Sequence, residues 1–209
     1  MTNKQASQTV VANDADAEQK TSALNQINIS LDELARTIKE YVAFRTPAMR
    51  MICVMLVSYL EAYFEDIFID LATRAPGIIK SPEVDAKRLM EVGSIEELRS
   101  EVFRTWAKAQ VRSGGPKNWC RRMREMGARS LDQAAIDAVQ ELYDVRNLIV
   151  HDRAMVSHAH ARAYAQSGAV AGAKVTIAGK RLTDWLSASR RLVEGVESFW
   201  GSYGGRHNS

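Results

Sequence analysis

The sequence element that decides the fold is residues 46–75, which read TPAMRMICVMLVSYLEAYFEDIFIDLATRA. Apolar residues recur here at spacings of three and four, the periodicity of an α-helix, and they occupy most of the helical circumference. Thr46 followed by Pro47 is typical of an N-cap and a first helical residue, and Pro76-Gly77 ends the pattern. The stretch therefore predicts a long central helix that neighbouring helices surround.

The rest of the chain predicts an all-α fold of the same kind. Glycine and proline are sparse from residue 17 to residue 199, and apolar residues keep the helical spacing. Ser94 with Glu97, and Ser130 with Gln133, resemble capping boxes that begin two of the helices. We expect a disordered tail over 1–16, one helical domain over 17–200 and a mobile tail over 201–209. The expected helices cover residues 17–43, 46–75, 94–111, 116–126, 130–151 and 181–200, with a short irregular or extended segment before the last one, at 174–177.

Composition limits the function classes that remain. Hydrophobic residues make up 46% and charged residues 25% of the chain, which is the ordinary balance of a globular protein. The longest apolar run, residues 51–60, is closed by Glu61 and is too short to span a bilayer, and the polar N-terminus lacks a secretory signal. Cys53 and Cys120 have no metal-binding spacing, and we expect both to be reduced thiols. These features predict a cytoplasmic protein that does not enter a membrane.

The helix predicted over 130–151 carries the residues with the most chemical potential. Arg146 falls on its apolar face, where a guanidinium needs a carboxylate or another polar partner, and Glu61 of the central helix is the partner that we expect. Asn147 and His151 are four residues apart and share a second face. Arg146 and His151 are five apart and diverge by about 140°. The apolar face comprises Ala135, Val139, Leu142, Val145 and Ile149.

This arrangement resembles the HEPN superfamily, in particular its RiboL-PSP and MAE-type nuclease-like members. Nucleases of this superfamily carry an arginine, usually a polar residue after it, and a histidine after four to six intervening residues. Arg146, Asn147 and His151 match that pattern. The long apolar helix containing SYLEAY at residues 58–63 and the helix after the motif extend the resemblance over residues 17–200 as an architecture.

The resemblance implies a HEPN-like helical bundle and a metal-independent endoribonuclease without a cofactor. Two copies of the motif would meet in a homodimer and form one cleft for RNA. Arg146 would hold the phosphate, His151 would move protons, and Asn147 would orient one of them. A toxin or an antiviral defence effector is the implied role, with an antitoxin or a defence-system component as partner. Toxins controlled by a nucleotidyltransferase tend to have tyrosine two residues after the histidine, where this chain has Arg153, which argues against that control.

A basic stretch supplies the RNA-binding candidates. Between Arg104 and Arg129 there are eight basic residues against one acidic residue, with two tryptophans interleaved. Basic side chains suit phosphate contact and aromatic rings suit base stacking, although a solvated helix face explains the same pattern. The candidates for RNA binding are Arg121, Arg122, Arg124 and, after the motif, Arg153.

One alternative to this interpretation stays open, and a metal site is not expected. Arg146 paired to a core carboxylate and His151 at a helix C-terminus would also suit a noncatalytic helical module that binds a nucleotide or a protein. His151, His158 and His160 lie within ten residues, but no cysteine or matched carboxylate completes a zinc site nearby, so we expect no metal.

Overall fold

The computed structural model describes residues 45–79 and 93–204, together with Asp32 and Glu91. The chain divides into two compact units, Met1–Ala48 and Met49–Ser209. Asp32 is helical, but the rest of the helix predicted over 17–43, the tail predicted over 1–16 and the last five residues lie outside the described residues. Within the described ranges the regular structure consists of α-helices, two 3-10 turns and one isolated bridge, which confirms the all-α class. No described helix has the length and apolarity needed to cross a membrane.

Helix α1 spans Arg45–Arg74 and confirms the long helix that the sequence predicts. Arg45 is already helical, so Thr46 lies inside the helix and is not its N-cap. The helix stops before Pro76–Ile78, which forms a single 3-10 turn, because proline has no N–H with which to continue the helical hydrogen bonds. The buried side chains of α1 are Met49, Ile52, Cys53, Leu56, Val57, Leu60, Tyr63, Phe64, Ile67, Phe68, Leu71 and Ala72.

A tight turn joins helices α2, Ile95–Arg112, and α3, Gly115–Glu125. Ser94 caps α2 as predicted, since its hydroxyl accepts the N–H of Glu97 at 3.1 Å. Gly115 has a φ of +72°, and a Cβ at this position would lie 2.8 Å from the ring of Tyr143. Only glycine tolerates both the left-handed backbone and the close approach. The turn therefore holds the start of α3 directly against the helix that carries Arg146.

Helix α4, Gln133–His151, ends where the sequence predicts but has a different cap. The carboxylate of Asp132 accepts the N–H of Ala134 at 2.9 Å, so the capping box expected from Ser130 is wrong. Aspartate is a strong N-cap, and its charge also favours the positive end of the helix dipole. The apolar face is buried and lies against α3 and the last helix; it consists of Ala135, Ile136, Val139, Leu142, Val145 and Leu148.

Residues 152–178 connect α4 to the last helix and are largely irregular. They include the short helix α5, His158–Ala163, and the 3-10 turn Ala165–Ser167. The extended segment expected at 174–177 is reduced to one antiparallel bridge between Lys174 and Met155. Several backbone hydrogen bonds pair residues 154–156 with residues 172–175, and these bonds fix the chain that follows the motif.

Helix α6, Gly179–Gly204, closes the bundle and extends slightly beyond the predicted range at both ends. Its predicted inner face is confirmed, because every expected side chain on that face is buried against the core. These residues are Leu182, Trp185, Leu186, Leu192, Val193, Val196 and Phe199.

Aromatic side chains join α1 to α2 and α3. The ring of Phe64 packs on that of Trp119 in α3 with centroids 4.8 Å apart, and Phe68 meets a tryptophan of α2 edge-on. On another face of α1, Met51 is 65%, Met55 41% and Tyr59 38% exposed. The expectation that neighbours surround α1 is wrong for this face, which we call the exposed α1 stripe.

Candidate functional site

Arg146 lies in the next-to-last turn of α4 and is held by an ion pair with α1. Its Nη2 donates to Oε2 of Glu61 at 2.5 Å, and the two side chains are 17% and 25% exposed. This pairing is the one expected from the sequence. A partly buried arginine on an apolar face keeps its charge because a carboxylate from the neighbouring helix compensates it.

Two further groups fix the orientation of the Arg146 guanidinium. Its Nη1 donates to Oδ1 of Asn147 at 2.9 Å, and its carbon lies 5.6 Å from the centre of the Tyr143 ring. Its Nε is buried and has no partner among the described residues. A guanidinium has five N–H donors, so the arginine retains donors beyond the two that Glu61 and Asn147 engage.

Asn147 is the link between Arg146 and its surroundings. Its side-chain oxygen accepts from Nη1 of the arginine at 2.9 Å. Burial, and then the charge of Glu61, raise the pKa of the neighbouring Tyr143, while Arg146 and Asn147 act in the opposite direction. The Asn147 amide is therefore held against the guanidinium of Arg146.

His151 is the last residue of α4, and its side chain is exposed. Because α4 is a continuous helix through this position, His151 diverges from Arg146 as the spacing predicts, and no hydrogen bond in the described part of the chain joins the two. One subunit brings Arg146, Asn147 and Glu61 together but leaves His151 apart from them.

The chain turns sharply directly after the motif. Arg153 and Ala154 have φ values of +54° and +61°, a left-handed conformation that is costly for residues other than glycine. The turn is held because the N–H of Ala154 donates to Leu148 at 2.8 Å and its carbonyl accepts from Val175 at 2.8 Å. Arg153, a predicted RNA-binding residue, is exposed on this strained turn.

The three candidate arginines of α3 are exposed, but each already has a partner. Arg121 pairs with Glu125 at 2.5 Å, and Arg122 approaches the same carboxylate at 3.6 Å. Arg124 instead ties α3 to the start of α4 by donating to Gln133 at 2.9 Å. The base-stacking role suggested for the interleaved tryptophans is wrong for Trp119, whose side chain is wholly buried and donates to a carbonyl of α2.

A pocket of about 270 Å³ lies between α4 and α5, and sequence reasoning missed it. We call it the α4–α5 pocket. Its centre is Asp144, whose Oδ1 accepts from Gln140 at 2.9 Å and whose Oδ2 accepts from the Tyr164 hydroxyl at 2.5 Å. The only signal in the sequence was the placement of Asp144 and Asn147 one turn apart on α4. The pocket is lined by Asp144, Asn147, Leu148, Ser157, Ala159, His160, Ala163 and Tyr164.

His160 is the unusual member of this pocket because it is only 8% exposed. Its ring packs on that of Tyr164 with centroids 4.7 Å apart. Burial lowers the pKa of His160 below its usual value of 6.5, although the carboxylate of Asp144 favours the proton. The imidazole is therefore neutral at neutral pH.

Helix α4 carries a second ion pair that closely resembles that of Arg146. Arg181 of α6 donates to Glu141 at 2.5 Å, with side chains 21% and 19% exposed. The other oxygen of Glu141 accepts from the indole of Trp185 at 3.0 Å. This pair joins α4 to α6 away from the motif and gives a matched reference for the Arg146 pair.

The last two observations concern metal-binding groups and the comparisons with known proteins. Within residues 45–79 and 93–204, no group of three His, Cys, Asp or Glu side chains is arranged to hold a metal ion. No protein-family model, curated protein or solved structure matches the chain.

Proposed function

We propose that this protein is a metal-independent endoribonuclease of the HEPN type. The observation that carries the proposal is the organisation of the motif on the last turns of α4. There Asn147 holds the Arg146 guanidinium by a 2.9 Å hydrogen bond, and His151 stands exposed one turn further along. An oriented arginine can hold a phosphate and an accessible imidazole can move protons, and both functions serve metal-free RNA cleavage.

The reaction is an internal transfer of the phosphate. The 2′-hydroxyl of one nucleotide attacks the adjacent phosphorus while His151 accepts the proton of that hydroxyl. The bond from phosphorus to the 5′-oxygen breaks, and this oxygen takes a proton from water, giving a 2′,3′-cyclic phosphate and a 5′-hydroxyl end, while His151 returns its proton to the solvent. The remaining donors of Arg146 neutralise charge on the phosphate oxygens.

A homodimer would bring Arg146 of one subunit close to His151 of the other. In one subunit Arg146 faces Glu61, whereas His151 points away from this pair. The exposed α1 stripe and Val150, which is 50% exposed, give apolar surface on the two helices that carry the site. Pairing of these surfaces would bury apolar area and bring two motifs face to face.

The RNA path and the biological setting follow from the same proposal. Arg153 beside the motif, and Arg121 and Arg122 on α3, would contact the phosphate backbone. Arg124 serves chiefly to tie α3 to α4, as its bond to Gln133 indicates. A cytoplasmic toxin or antiviral effector, paired with an antitoxin or a defence-system component, is the role we propose.

A noncatalytic helical module is the second candidate, and one observation favours it. The Arg146–Glu61 pair is a complete structural contact by itself, since a compensated arginine on a buried face requires no substrate to explain it. In that case the protein would bind a nucleotide or another protein through the same surfaces without cleaving RNA.

Incubation of the purified protein with RNA in excess EDTA tests the proposal. We expect cleavage with 2′,3′-cyclic phosphate ends, and Arg146→Met should abolish it because the phosphate loses its cationic partner. Arg181→Met is the matched control, since it removes a similarly buried ion pair between α6 and the same helix α4. Equal losses in both variants would make the effect structural.

The role of His151 is tested by a variant of this residue and a matched control variant. His151→Ala should abolish cleavage, whereas His158→Ala, which removes another exposed histidine, should leave most of the activity. If intact dimeric protein leaves RNA uncut, or cuts it only with added metal, the ribonuclease assignment is wrong and the noncatalytic module remains.

A further inference from the structure

The α4–α5 pocket contains a buried polar side chain that the proposed reaction does not use. The imidazole of His160 is 8% exposed, lines the pocket, and receives no hydrogen bond from any residue that the structure describes. The ring nitrogens of His160 are therefore available to a ligand that enters the pocket.

The charge of the pocket excludes a phosphate ligand. Asp144 is acidic, and neither lysine nor arginine is among the residues that line the pocket. A phosphate placed here would face a carboxylate without a compensating cation. The pocket therefore suits a ligand group that carries no negative charge and directs N–H or O–H donors at Asp144.

The hydrogen bonds of Asp144 define the number and placement of those donors. Gln140 occupies one acceptor position on Oδ1, and Tyr164 occupies one on Oδ2. Each carboxylate oxygen has two such positions, so one remains on each oxygen. A carboxylate with one open position on each oxygen suits a ligand with two parallel donors, as in bidentate recognition of a carboxylate.

We propose that the α4–α5 pocket binds one base of a single-stranded RNA and that Asp144 makes guanine the preferred base. This inference rests on the proposed function, which supplies RNA as the substrate. Guanine presents its N1–H and its N2 amino group as adjacent donors. Adenine and cytosine place an acceptor beside their amino group, and uracil flanks its single N–H with two carbonyls, which a carboxylate repels.

The shape and lining of the pocket agree with a base. Its volume of about 270 Å³ is below the range of drug-sized ligand sites and is large enough for one heterocycle. The rings of His160 and Tyr164 give aromatic surface for stacking, and Leu148 and Ala159 give apolar walls. Recognition of unpaired RNA bases commonly combines such stacking with hydrogen bonds to the Watson–Crick edge.

Asn147 connects this pocket to the motif. It lines the pocket and accepts the hydrogen bond of Arg146 at 2.9 Å. A base in the pocket therefore lies one side chain away from the guanidinium that would hold the phosphate. The inference predicts that cleavage occurs next to guanosine.

Binding of all-deoxy pentanucleotides tests the pocket without cleavage, because these chains lack the attacking 2′-hydroxyl. Fluorescence anisotropy would compare thymidine pentamers that carry guanine, hypoxanthine, adenine or cytosine at the centre. We expect guanine to bind about tenfold more tightly than adenine or cytosine, as a charge-assisted hydrogen bond allows. Hypoxanthine, which lacks the N2 amino group, should lose most of this advantage without any change to the protein.

Asp144→Asn should abolish the guanine preference, because the amide replaces an acceptor with a donor. Asp137→Asn is the matched control: this aspartate is on the same helix, pairs with Lys117, and does not line the pocket. Equal binding of all the pentamers, or a guanine preference that survives both Asp144→Asn and the change to hypoxanthine, overturns the inference. Guanine preference without RNA cleavage refutes only the ribonuclease, and cleavage without base preference refutes only the pocket.

Discussion

The Arg146–Glu61 pair gives the most quantitative prediction. Exposed ion pairs contribute about 0–1 kcal/mol, and removal of one partner of a buried pair costs about 3–5 kcal/mol. The side chains here are 17% and 25% exposed, which is between these limits. Replacement of arginine also removes the unpaired buried Nε. We therefore expect Arg146→Met to lower the free energy of unfolding by about 2 kcal/mol, or the Tm by about 4–8 °C for a chain of this size.

A double-mutant cycle with urea unfolding measures this value directly. Glu61→Met should cost about as much as Arg146→Met, and the double variant should recover most of the loss, because two apolar side chains replace a partly buried ion pair. Arg181→Met provides the reference, since its pair has the same length and similar exposure. A cost below about 0.5 kcal/mol for Arg146→Met, the size of an ordinary surface substitution, would refute the claim that burial makes this pair a structural contact.

Three other predictions concern particular side chains. Burial lowers the pKa of His160 below 6.5, so the unfolded chain takes up a proton at a higher pH than the folded chain does. The protein should therefore become less stable as the pH falls below about 6.5. His160→Phe should flatten the dependence of the urea midpoint on pH. Burial raises the pKa of Cys53 and Cys120 to about 12, so iodoacetamide at pH 8 should label neither thiol in native protein and both in urea; rapid native labelling would contradict their burial. Co-refolding of Arg146→Ala with His151→Ala should restore partial cleavage, since about half of the dimers combine one intact residue of each kind; full activity in a forced monomer would disprove a shared cleft.

The sequence predicts the longer described helices well because each one has a strong period and a clear end. Residues 46–75 keep the helical spacing until Pro76, and α4 keeps it until His151. The pairing of Arg146 with Glu61 was also predictable, since an arginine on an apolar face requires a carboxylate and the adjacent long helix offers few. These features depend on local pattern or on one unavoidable electrostatic requirement.

The α4–α5 pocket was not predictable in the same way. Its outer wall comes from residues 157–164, where small and polar residues have no clear period, so their position depends on tertiary contacts. Tyr164 reaches Asp144 across twenty residues of sequence, and spacing carries no signal for such a contact. The cap at Asp132 was missed for a related reason: two acceptable capping residues lie close together, and backbone conformation selects between them.

The ion pair of Arg146 is compatible with a catalytic role because it leaves other N–H donors of the guanidinium unengaged. Glu61 and Asn147 each engage one donor of the guanidinium and fix its plane. An arginine fixed in this way loses little rotational freedom when it meets a phosphate, so more of its interaction energy remains for the transition state. Arg181 differs because its carboxylate partner is shared with an indole and lies at the junction with α6. A purely structural arginine has no need of Asn147, and Asn147→Ala should therefore reduce cleavage while changing the free energy of unfolding by less than Arg146→Met does.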